Sequence, residues 1–185
     1  MMARSDRVPG IRPHLTLGRR LDIAWRHAFP GVTSLFLMLL SVAHFGLWGQ
    51  AALLPTVALT CVWFWSLFRP SAMAPPMVFL IGLLLDLLGF LPLGVGAVTM
   101  LTTHGIAQRL RRLLARQGFS IIWLIFITVA CGIAAMNWAL VSLLTFSVEP
   151  PGPVLFQAGL AAAMYPAVAI PLMLAHRSMA DPDLA

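Results

Sequence analysis

Lysine is missing from this chain altogether. Its twelve basic residues are all arginine, and only six acidic residues accompany them in 185 positions. Charged residues amount to 10%, where a soluble domain carries about a quarter. That shortage excludes an ordinary water-soluble helical fold, in which each apolar face is paired with a charged one. Cysteine is scarce too. Cys61 and Cys131 lie in separate apolar runs, with no CxxC and no metal-ligand spacing, so both read as small packing residues. GxSxG, HExxH, Walker A and paired-carboxylate patterns are all absent, so the sequence offers no catalytic residue, no metal ligands and no cofactor site. A non-enzymatic protein is expected.

What the chain does contain is hydrophobic. Apolar residues make up 60% and the mean hydropathy is +0.91. Residues 1–26 form an Arg-rich, Pro-interrupted tail, expected to be partly disordered, that ends in an amphipathic lead-in from Leu17 to Phe29 lying at a membrane interface. Six apolar runs follow, at about 28–49, 52–68, 73–90, 93–108, 119–147 and 153–175, within a membrane domain of residues 27–177. Roughly 20 helical residues cross the hydrocarbon layer. The third and fourth runs are short and glycine-rich, so they read as two spans in a thin region or as a re-entrant pair. A short polar tail, 178–185, closes the chain. Cleavage of the first run as a signal peptide is not expected. Its basic leader and apolar core are too long, and more membrane sequence follows.

The arginines order these runs. Six precede the first run, Arg69 lies between the second and third, four lie between the fourth and fifth, and Arg177 follows the sixth. With six spans and a cytoplasmic N-terminus, every arginine is cytoplasmic, as the positive-inside rule requires. Both termini are then cytoplasmic. The sequence pI of about 11.3 is thus a topology signal, and a nucleic-acid partner is not expected. Arg109, Arg111, Arg112 and Arg116, on a short connection, are candidates for contact with anionic lipid or a cytoplasmic partner.

One carboxylate stands inside an apolar run: Asp86, in "GLLLDLLGFLPLG" from Gly82 to Gly94. A charged Asp costs about 2.5–3.5 kcal/mol at a bilayer centre, and flanking leucines offset part of that. Asp86 is therefore expected to turn inward and brace the turn after it, capping N–H groups at the start of the fourth run. Partner or ligand binding and proton coupling are the sharper alternatives. His44 and His104 read as hydrogen-bonded interior groups. Asn137 reads as an interhelical hydrogen-bonding group, and Thr99, Thr102 and Thr103 as residues that bond their own helix. Gly159, Ala163 and Ala167, and likewise Cys131, Ala135 and Ala139, repeat every four residues and are expected to bring helix backbones close in a compact bundle. Pro166 and Pro171 are expected to bend the last run.

The stretch "PPMVFLIGLLLDLLGFLPLGVGAVTML", Pro75 to Leu101, resembles the signature of the MreD family of rod shape-determining proteins: a glycine, a short apolar gap, an Asp, and a glycine-rich turn ending in "PLG". "LLPTVAL" around Pro55 and "YPAVAIPLML" around Pro166 are supporting matches. "GFLPLG" departs from the family where a serine is frequent. The resemblance implies an all-α integral membrane protein, a six-helix transmembrane bundle similar to the substrate-binding subunits of energy-coupling-factor transporters. It implies a structural or partner-binding role for Gly82, Asp86, Gly89, Pro92 and Gly94. It further implies an inner-membrane component of the bacterial elongation machinery that binds MreC, works alongside MreB, RodZ and RodA with its transpeptidase partner, and helps control rod shape and peptidoglycan synthesis. The alternative is a vitamin-type binding subunit of a transporter, with Trp48, Gln50 and Glu149 as outer polar or aromatic candidates.

Overall fold

A helix that is apolar on every side has to be surrounded, and the second helix of this chain is such a helix. The computed structural model describes residues 17–43, 52–89, 92–114, 116–147 and 150–180. These form six helices and no strand: α1 Leu17–Val42, α2 Leu53–Phe68, α3 Pro75–Gly89, α4 Val95–Leu114, α5 Phe119–Thr145 and α6 Gly152–Ala180. Thirteen of the sixteen residues of α2 are buried. It packs against α1, α3, α4 and α6, and the chain of neighbours α1–α3–α4–α5–α6 runs around it.

Aromatic side chains join this centre to the outer helices. Phe29 of α1 meets Trp65 edge-on at 5.8 Å, and Trp63 lies 6.0 Å from Phe126 of α5, which stacks at 4.3 Å on Tyr165 of α6. Trp123 Nε1 donates to the Ala162 carbonyl at 2.9 Å, tying α5 to α6 at a second point.

By length and apolar composition, two helical segments are able to cross a membrane, Phe119–Thr145 and Gly152–Leu174. His27–Val42, Leu53–Phe68 and Pro75–Gly89 are shorter apolar helices. At about 1.5 Å per residue, α2 and α3 are roughly 24 and 22 Å long, whereas α5 approaches 40 Å.

Several boundaries differ from the sequence reading. The lead-in and the first run are one continuous helix, Leu17–Val42, and residues 44–49 of that run lie outside the described residues. Pro30 removes one intrahelical bond, yet it is buried, and packing against α2 and α3 keeps the junction helical. The fourth run extends to Leu114 and takes Arg109, Arg111 and Arg112 into its last turns, so the connection they were assigned to is only a few residues long.

The small-residue faces also differ. Cys131, Ala135, Ala139, Gly159, Ala163 and Ala167 are all exposed. The packed faces lie beside them, with Phe126, Ala130 and Ala134 on α5 and Ala161, Tyr165 and Ala169 on α6. Both faces share a four-residue period, so spacing alone does not choose between them. The stacked rings of Phe126 and Tyr165 decide. Cys61 is buried as a packing residue should be, whereas Cys131 is on the outside.

Candidate functional site

The most constrained part of the molecule is the α3–α4 hairpin, and it is built from the signature stretch. Asp86 lies one turn before the end of α3 and is 1% exposed. Its Oδ2 accepts a hydrogen bond from the Gly94 backbone N–H at 2.8 Å, and its Oδ1 accepts from the Gly96 N–H at 2.6 Å. These N–H groups open α4 and have no intrahelical acceptor. The carboxylate satisfies two of them and sits at the positive end of the helix dipole. A leucine-rich helix thus holds a buried Asp because the next helix supplies its hydrogen bonds.

Reaching those donors needs two backbone conditions. Gly94 has φ +101°, a left-handed conformation that residues with a Cβ avoid. The helices must also touch backbone to backbone. A Cβ on Gly82 would stand 2.5 Å from Ala97 Cα and 2.7 Å from the Gly96 carbonyl oxygen. One on Gly96 would stand 2.5 Å from Asp86 Oδ1 and 2.7 Å from the Gly82 carbonyl oxygen. Gly82, Asp86, Gly94 and Gly96 therefore act as one clasp. Pro92 forms the turn into α4, its carbonyl accepting from Val95 N–H at 3.2 Å. Gly89 ends α3 on the exposed side. Gly96 is absent from the sequence-derived signature set. The signal that finds it is the Gly94-x-Gly96 spacing, which presents two N–H groups to one side chain.

Below the clasp, α4 carries a row of polar residues, of which Thr99, Thr103 and His104 are buried and Thr102 is partly exposed. Thr99, Thr102 and Thr103 donate to the carbonyls of Gly96, Val98 and Thr99. His104 Nδ1 lies 2.7 Å from Ser66 Oγ of α2, and both residues are buried. Ser66 is a second residue the sequence reading did not single out. His104 is about two turns of α4 away from Gly96, so it does not pair with Asp86. Between α2, α4, α5 and α6 lies a cavity of about 20 Å³, lined by Pro55, Thr56, Thr99, Asn137 and Gln157 among others. Thr56 Oγ1 is buried there without a hydrogen-bond partner. That volume suits one water molecule.

Arginines occupy the opposite end of α4. Arg111 Nε donates to the Leu67 carbonyl of α2 at 3.2 Å, so this arginine caps the C-terminal turn of the central helix, where a cation also suits the dipole. Arg109, Arg112 and Arg116 are exposed. From Gly96 to Arg111 the helix rises roughly 22 Å, so carboxylate and arginines mark the two ends of the bundle. Pro166 lies within α6 and is half-buried. It does not belong to the clasp. His44, Trp48, Gln50 and Glu149 lie outside the described residues. Among the described residues, no group of three His, Cys, Asp or Glu side chains comes together as a metal site.

Comparison with protein-family models, with curated proteins and with solved structures yields no match to this chain.

Proposed function

We propose that the chain is a six-span inner-membrane protein with its arginine-bearing end in the cytoplasm, and that it serves the bacterial elongation machinery as a non-enzymatic, MreC-binding component of the MreD type. Rod shape and lateral peptidoglycan synthesis would then depend on it through its partners, MreB, RodZ and RodA with its transpeptidase included. The membrane part of this reading is supported by the exterior. Phe36, Leu80, Leu87, Leu124, Leu143 and Leu155 are all more than half exposed, while Ser34, Thr56, Thr60, Ser66, Asp86, Thr99, Thr103 and His104 are buried. Contiguous apolar exteriors of this extent are rare in soluble monomers. Asp86 and the arginines in the last turns of α4 stand at opposite ends of the bundle, which suits a chain oriented across a bilayer.

The observation that carries the partner reading is the clasp. The stretch by which the chain resembles the MreD family is the stretch on which the α3–α4 hairpin depends. That hairpin presents an apolar outer surface, with Leu80 58% and Leu87 66% exposed, on a rigid two-helix unit. A vitamin-type transport role is less well supported. Ligand pockets are about 300–1,000 Å³, against about 20 Å³ for the cavity among the buried polar groups.

The test is co-purification with MreC in mild detergent. Wild type is expected to capture MreC, and Asp86→Ala to capture less, with cell-width control weakened in parallel. Failure of the wild type to capture MreC refutes the partner reading. Recovery of a stoichiometric small molecule from the purified chain would favour the transport reading instead.

A further inference from the structure

At the arginine-bearing end, α2, α4 and α5 border an open cleft of about 150 Å³ lined by Leu67, Phe68, Arg111, Leu114 and Ile122. A cavity of that size in an apolar wall accommodates a benzene ring. Four of its five lining side chains are hydrocarbon. The fifth is Arg111, whose Nε is held by the Leu67 carbonyl at 3.2 Å. That bond uses one of the five guanidinium N–H donors and orients the rest at the mouth of an apolar cleft. One turn before Ile122, Gly118 stands at the N-cap of α5 without a side-chain cap, so an uncapped helix N-terminus, favourable to phosphate, opens beside the same cleft. Arg109, Arg112 and Arg116 are exposed at the same end of the bundle. Asp86 is at the far end of the bundle, and Asp22 lies in the first two turns of α1.

We propose that this cleft is a site for one anionic phospholipid of the cytoplasmic leaflet. Its phosphate sits between the Arg111 guanidinium and the N-terminus of α5, and its first hydrocarbon segment lies against Leu67, Phe68, Leu114 and Ile122. Charge complementarity selects the occupant. A soluble anion leaves the apolar walls unfilled, and a zwitterionic lipid brings a cation toward four arginines. The proposal rests on the membrane reading with cytoplasmic arginines and not on binding to MreC.

Native mass spectrometry of the full chain in mild detergent tests it, with phosphatidylglycerol, phosphatidylcholine of the same chains, and inorganic phosphate as probes. Wild type is expected to retain one phosphatidylglycerol in preference to phosphatidylcholine. Arg111→Gln is expected to lower that retention roughly tenfold, as loss of a charge-assisted contact does. Leu114→Trp, which fills the cleft without changing charge, is expected to abolish it. Equal loss in Arg177→Gln, which removes the same charge from another helix, would mean a diffuse basic surface and overturn the site. Equal retention of phosphatidylcholine would overturn the charge selection. Thermal stabilisation by phosphate equal to that by phosphatidylglycerol would overturn the lipid assignment. Should Leu114→Trp fail to fold, the comparison of Arg111→Gln with Arg177→Gln still decides. A chain that stays soluble without detergent would refute the membrane reading itself, whatever lipid it carries.

Discussion

Asp86 shows how a costly residue becomes a structural one. Two backbone N–H groups meet its oxygens at 2.8 and 2.6 Å, and each hydrogen bond to a charged group contributes about 1.5–3 kcal/mol. In Asp86→Asn the amide NH2 turns a donor toward one of those N–H groups. A stability loss of roughly 2–4 kcal/mol is expected, seen as a lower thermal midpoint in detergent. The glycines divide by mechanism. Gly96→Ala drives a methyl into Asp86 and the Gly82 carbonyl and is expected to cost about 3 kcal/mol, at the upper end for overpacking. Gly94→Ala meets nothing within 4 Å, so its cost is only that of the left-handed backbone, about 1–2 kcal/mol. Gly105, also with nothing within 4 Å, lies inside α4, and Gly105→Ala is expected to stabilise by roughly 0.5–1 kcal/mol. Thermal unfolding that ranks Gly94→Ala as more damaging than Gly96→Ala would refute the close crossing.

Between elements, contacts depend on which side of each helix turns inward. Ser66 and His104 join α2 to α4. A double-mutant cycle with Ser66→Ala and His104→Leu is expected to give a coupling of about 0.6–1.7 kcal/mol, the range for interhelical hydrogen bonds in membranes. Zero coupling would show that the two merely lie near each other. On α5 and α6 the small-residue faces separate packed from unpacked surface. Ala130→Leu and Ala161→Leu, at buried positions, are expected to destabilise by about 1–3 kcal/mol. Ala135→Leu and Ala163→Leu, at exposed positions, are expected to stay within roughly 0.5 kcal/mol of wild type. The four-residue spacing was legible in both helices. Its direction was not, because a period fixes which residues share a face and leaves open what that face meets. Helix existence was legible at all six runs, since apolar stretches of this length exceed the usual strand and read as helix. The continuity of α1 through Pro30 and the end of α4 were not, because packing around Pro30 and an arginine cap on α2 carried these helices past the points where local sequence suggested a break.

For the whole molecule, the expected orientation is open to direct measurement. With Cys131 removed, cysteines introduced at Arg20 and Gln117 are expected to react with an impermeant maleimide from the same compartment. Labelling from opposite compartments would break the six-span reading. The apolar composition and the grouping of all arginines in alternate connections were settled by the sequence itself, because solvent preference and charge belong to residues one at a time. So was the demand that Asp86 find partners, since a buried carboxyl cannot do without them. Which partners it found was decided only in three dimensions. Gly82 and Gly96, apart in sequence, let two backbones approach closely enough for one carboxylate to reach both N–H groups. The central place of α2, the inward turn of His104 onto Ser66 and the cleft beside Arg111 belong to the same class. Each depends on the relative rotation of two helices, which packing determines and the periodicity of either helix alone leaves free.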